Sequence, residues 1–215
     1  MSPRGFPRAG LPVAVALLSA LLATTVAALP PLTPLDATGR VTYFVAEGES
    51  GSTYRPADRQ LAVWALEAWQ RALNGALRFS AAPKDQSLVQ VFWVSAQTGQ
   101  YGETRPIVVD GHVGAAAYIR PDTSALGPDI ARLAAGDELF RDTIVYLTCL
   151  HELGHAIGLP HTANFDDVMY AFGYGGDIPL FFMRYRRQLK TRADIARVSG
   201  LSTGDVAAVR ALYPR

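Results

Sequence analysis

One cysteine, Cys149, in a chain of 215 residues leaves no partner for an intramolecular disulfide, so a domain built from this sequence is held by its core and by any metal it binds. Charge of one sign is equally scarce. The formal net charge is +1 and only 18% of residues are charged, which argues against nucleic acid or an acidic polymer as the target. No C-x-x-C pair, phosphate-cradling glycine loop or basic-aromatic alternation occurs, and those classes fall away with them. About half of the residues are apolar, with 49% in that class, enough for one well-buried domain.

Histidine is rare too, with four in all, yet three of them fall in His151-Glu152-Leu153-Gly154-His155-Ala156-Ile157-Gly158-Leu159-Pro160-His161. On a helix His151 and His155 stand one turn apart on one face, so both rings reach one metal ion. Gly158 is suited to the left-handed conformation that ends a helix, which turns the chain and brings His161 in as a third nitrogen ligand. Three protein ligands leave a fourth position for water, the mark of a catalytic rather than a structural zinc. Glu152, not itself a ligand, is the candidate general base. Cys149 lies two residues before His151 and is expected to point into the core.

Long hydrophobic runs are confined to the N terminus. Arg4 and Arg8 precede an uncharged stretch from Leu11 to Val26, then small residues ahead of Pro30 and Pro31, the layout of a secretory signal peptide over residues 1–28. An uncleaved anchor facing outward is the alternative, and only then is a membrane a partner. Residues 29–40 read as a linker or short tail and 41–215 as one domain, secreted or periplasmic. A monomer is expected.

Val41–Val45 reads as a first strand, and Pro56 to Asn74 as an amphipathic helix. Leu77–Phe79 and Leu88–Val94 read as further strands, the second interior. Residues 111–119, after a polar, glycine-rich loop, form a small-residue strand with two readings: a sheet edge at which Ala115 and Ala117 meet a substrate peptide, or an ordinary strand with close neighbours. Asp142–Ile157 is the helix of the zinc motif. Ser202 caps a last helix, with Asp205 at its third position.

The zinc motif together with Asp167-Val168-Met169-Tyr170 eight residues on, Ala65–Trp69 followed by Leu77–Phe79, and Leu201–Ser202 with Asp205 and Leu212–Tyr213 resembles the metzincin metalloproteases, and within them the matrixins. The resemblance implies an α/β (α+β) zincin-like domain: a twisted mixed sheet with an antiparallel edge strand, an active-site helix and a C-terminal helix. It implies a zinc-dependent endopeptidase with one zinc, Met169 as a structural Met-turn residue, and a peptide or protein substrate. Tyr170 and Phe172 are expected near the substrate, without a catalytic role for Tyr170. The chain departs from the best-known matrixins in having no cysteine-bearing propeptide and in lacking their additional histidines, since only His112 remains outside the motif. Nothing in the sequence supports a calcium site. The stretch from Ala171 to Gly200 is longer than usual. In relatives this passage walls the pocket for the side chain just after the cleaved bond. Its aromatic residues fit such a wall, and its arginines read as a solvated face or as a patch for acidic substrate or anionic lipid. Two other readings stay open: a binding or adhesion module pinned by zinc, and a processing peptidase of narrow specificity.

Overall fold

The alternation of inward valines with outward polar or aromatic residues in Arg40–Val45 is the signature of a strand with one covered face, and it recurs along the sheet. The computed structural model describes residues 33–35, 39–95 and 101–214; the expected leader, residues 1–28, lies outside them. Its strands are β1 (Arg40–Val45), β2 (Arg78–Ala81), β3 (Val89–Trp93), β4 (Gly102–Val109) and β5 (His112–Ile119). They form one sheet in the order β2-β1-β3-β5-β4, parallel except for β4, which runs antiparallel to β5. Val41, Val45, Val89, Val91, Trp93, Ala115, Ala117 and Ile119 are buried on one face. That face is covered by helices α1 (Asp58–Ala72) and α3 (Glu138–Ala156), which also pack on each other. The Trp69 indole donates to the Leu150 carbonyl at 2.9 Å, tying the two helices together. This is the mixed α/β architecture that the resemblance implies.

Three local expectations need correction. Gly102–Val109 is a strand, not part of a loop. Asp110 and Gly111, both at positive φ, make the two-residue turn that favours a hairpin, because its twist matches that of the flanking strands. β5 is therefore flanked by β3 and β4. Its Ala115 and Ala117 are 1% and 0% exposed beneath α3, so the reading that gave them a substrate at the sheet edge is wrong. Alanines there let the helix approach the sheet. The zinc-motif helix also starts a turn early, at Glu138, where Asp137 accepts from the Phe140 N–H at 3.0 Å; α2 (Pro128–Gly136) precedes it. Finally, the expected linker is not loose at its described residues. Leu35 is buried, its N–H donates to the Tyr213 hydroxyl, and that hydroxyl donates to the Ile157 carbonyl, each at 2.8 Å.

After α3 come α4 (Ile178–Arg186) and α5 (Thr203–Leu212). Ser202 and Asp205 form a capping box, the Ser202 hydroxyl accepting from Asp205 N at 2.9 Å and the Asp205 carboxylate from Ser202 N at 2.8 Å. No helix among the described residues is long and apolar enough to cross a membrane.

Candidate metal centre

His151 and His155 project from the last two turns of α3. Gly158, at φ +96°, then reverses the chain, and His161 returns toward them. Each helical ring is oriented by a backbone carbonyl: His151 Nδ1 lies 2.7 Å from Val168 O, and His155 Nδ1 2.8 Å from Leu159 O. A carbonyl only accepts, so both Nδ1 atoms carry the proton and both Nε2 lone pairs are free to bind a metal. The Nε2 atoms of His151 and His155 lie 3.2 and 3.1 Å from His161 Nε2. Nitrogens at two corners of a tetrahedron around zinc stand about 3.3 Å apart, given bonds of roughly 2.0–2.1 Å. The three rings therefore suit a zinc ion, and they are the group of side chains among the described residues arranged to hold a metal. Burial pushes the His151 pKa down to about 4, with His155 adding to the effect, and burial also lowers those of His155 and His161. All three are thus neutral near pH 7, as ligands must be.

Glu152 sits on the adjoining flank of α3, 5% exposed. Burial raises its carboxyl pKa to about 7, Glu103 adds to the rise, and a hydrogen bond from Thr104 opposes it. The Thr104 hydroxyl donates to Glu152 Oε2 at 2.7 Å and also lies 2.9 Å from the Glu152 carbonyl oxygen.

Beneath the histidines the chain folds back through Asp167–Tyr170, where Tyr170 N donates to Asp167 O at 3.2 Å. Met169 is 1% exposed, with its sulfur against Gly154, where a Cβ would stand 2.3 Å from Sδ. The turn is held from α5. Asp205 accepts from Val168 N at 2.8 Å and Met169 N at 3.3 Å, so the capping residue of α5 fixes the carbonyl that aims His151.

A cleft of about 600 Å³ opens at the site, with β4 residues Gly102, Glu103 and Thr104 on one side and Tyr170, Phe172, Phe181 and Phe182 on the other. Tyr170 is nearly buried and donates through its hydroxyl to Gly175 O at 2.8 Å. Phe172 packs edge-on against Phe181, centroids 5.1 Å apart. Tyr170 and Phe172, expected near the substrate, both line this cleft. Ala115 and Ala117 do not reach it.

β4 is the free edge of the sheet. Arg120 N donates to Tyr101 O across the hairpin, while Ala115 N donates to Leu88 O on the other side. With Gly102 opposite Ile119 and Thr104 opposite Ala117, the antiparallel alternation turns the backbone N–H and C=O groups of Gly102 and Thr104 toward the open edge. Pro106 occupies the next outward position and has no N–H to offer, a placement that edge strands tolerate.

Three of the arginines after the Met-turn pair with carboxylates of this chain. Arg184 pairs with Asp166, Arg186 with Asp137 at 2.8 Å and Arg192 with Asp142 at 2.7 Å. Arg184 also stacks over Phe165 and Phe181. Arg184 thus braces the aromatic wall, while Arg187, Lys190 and Arg197 are exposed on the surface. His112 is exposed at the start of β5.

Sequence reasoning missed Gly102, Thr104, the hold of Asp205 on Val168 and Met169, and the carbonyls of Val168 and Leu159. The Asp110-Gly111 turn signal would have found β4, and with it Gly102 and Thr104. A family model described as matrixin matches residues 36–178. No curated protein matches the chain.

Proposed function

The chain belongs to the matrixin family of metalloproteases, and from that premise we propose that it is an active zinc endopeptidase, with His151, His155 and His161 as the metal ligands and Glu152 as the general base. The observation that carries this reading is the convergence of three imidazole nitrogens beside the buried carboxyl of Glu152. His151, His155 and His161 would hold the zinc ion, which when bound would supply a Lewis acid for the scissile carbonyl and lower the pKa of water toward roughly 7.

The chain's own groups do the rest. The substrate lies extended along β4, taking backbone hydrogen bonds from Gly102 and Thr104, and the aromatic wall of Phe172, Phe181 and Phe182 receives an apolar side chain next to the cleaved bond. Glu152 accepts a proton from the attacking water and returns it to the departing amine. Met169 supports the histidines from below as packing, not chemistry. Residues 1–28 serve as a secretory signal, and the exported catalytic unit is 41–215 with Pro34 and Leu35 docked upstream.

The test compares zinc-loaded wild type with Glu152→Ala on an unfolded protein substrate. Turnover is expected to fall by at least about 100-fold, the contribution typical of a positioned base. Equal turnover at equal zinc content would overturn the reading.

A further inference from the structure

Gly102 and Thr104 stand two residues apart on β4, facing α3 with Ala117 and Ile119 as their partners across the hairpin, and both meet one side chain. A hydroxyl carries one proton. The Glu152 carbonyl already belongs to the hydrogen-bond ladder of α3, so the carboxylate is where the Thr104 proton is needed, 2.7 Å away at Oε2. Charge on a carboxylate that is only 5% exposed requires such a donor. The other carboxylate oxygen lies against Gly102, where a Cβ would stand 2.3 Å from Oε1 and 2.8 Å from the carboxyl carbon. Gly102 is not among the positive-φ residues. Its backbone would therefore accept alanine, and the close carboxylate is what excludes a side chain.

We propose that Thr104 is a positioning residue for Glu152, fixing one carboxylate oxygen by its hydroxyl while Gly102 clears the space for the other. The inference rests on the endopeptidase reading for its kinetic consequence, but the contact itself is independent of it. The same two residues present their backbone groups to the open edge. A substrate strand paired there and the base that serves it are thereby referred to one short piece of β4, and the distance from carboxylate to scissile bond does not depend on a mobile side chain.

The experiment uses full-length zinc-loaded protein labelled with ¹³C at the glutamate carboxyl, with the Glu152 signal identified by its loss in Glu152→Ala. Thr104→Val replaces the hydroxyl with a methyl of the same shape. In that variant the Glu152 resonance is expected to move, and in Thr104→Ser to return to its wild-type position. On a peptide substrate kcat should fall on the order of 10- to 100-fold in Thr104→Val, with KM within about twofold, and Thr104→Ser should recover most of it. Gly102→Ala, pushing the carboxylate from the opposite side, should lower kcat likewise with zinc content unchanged. A resonance that stays put in Thr104→Val, valine and serine variants that behave alike, or a loss confined to KM would each overturn the proposal. If the resonance moves as expected but wild type cleaves nothing, the endopeptidase reading fails and the positioning contact stands.

Discussion

Glu152 has to be buried and also to carry charge, and the two demands oppose each other. With its carboxyl pKa raised to about 7 by burial, the protonated form contributes stability that is complete below the ordinary value near 4.5 and is lost as pH rises through about 7. Metal-free Glu152→Gln, which has nothing to ionise, should therefore be more stable than wild type above neutrality, by up to about 3 kcal/mol, and the difference should vanish on acidification below the ordinary carboxyl range. Urea unfolding of both proteins across that pH span measures it; a constant difference would show that burial does not govern this carboxyl. The identities of His151, Glu152, His155 and His161 were legible in sequence because helix geometry fixes what lies at i and i+4. The carbonyls that orient the rings were not, since every residue has one and only the folded path selects Val168 and Leu159.

Among the elements, α5 acts on a centre it does not touch. Asp205, 1% exposed, receives N–H groups from Ser202, Val168 and Met169, and Val168 in turn aims His151. Asp205→Ala strands buried donors and frees the turn. It should cost about 3 kcal/mol in denaturant unfolding and weaken zinc binding roughly 10-fold or more in a chelator competition, as loss of an outer partner of a metal ligand does. Retained zinc affinity with reduced stability would confine Asp205 to capping α5. The capping box was readable from Ser202 and Asp205, since it is a local pattern; the second task of the carboxylate was not, because its partners lie 36 and 37 residues away. β4 is the contrasting case. Gly102, Pro106 and polar neighbours disguise a strand whose outward groups face an edge, and the edge tolerates residues that an interior strand would not.

Across the whole molecule, the metal is expected to act as a fastening between halves: α3 supplies two ligands, and the chain beyond Gly158 supplies the third. Zinc binding to the native state alone should add about 4 kcal/mol at a free concentration a thousandfold above its dissociation constant. Chelation should lower Tm, and zinc should restore it with an end point of one ion per chain. An unchanged Tm would mean that the ligands are held without metal.

The sequence alone carried the local pattern: three histidines at metal-binding spacing, a carboxylate among them, and a metalloprotease-like domain. These follow from spacings within one helix and its exit turn, where local geometry leaves few choices. The surroundings of that pattern were set by the way the chain packs. That packing made β4 and not β5 the open edge, and it set Thr104 against Glu152 across 48 residues of chain. It also laid Arg184 over Phe165 and Phe181 of the aromatic wall. Such contacts depend on strand order and helix docking, which pair residues far apart in sequence and are settled only when the sheet and α3 close on a common core.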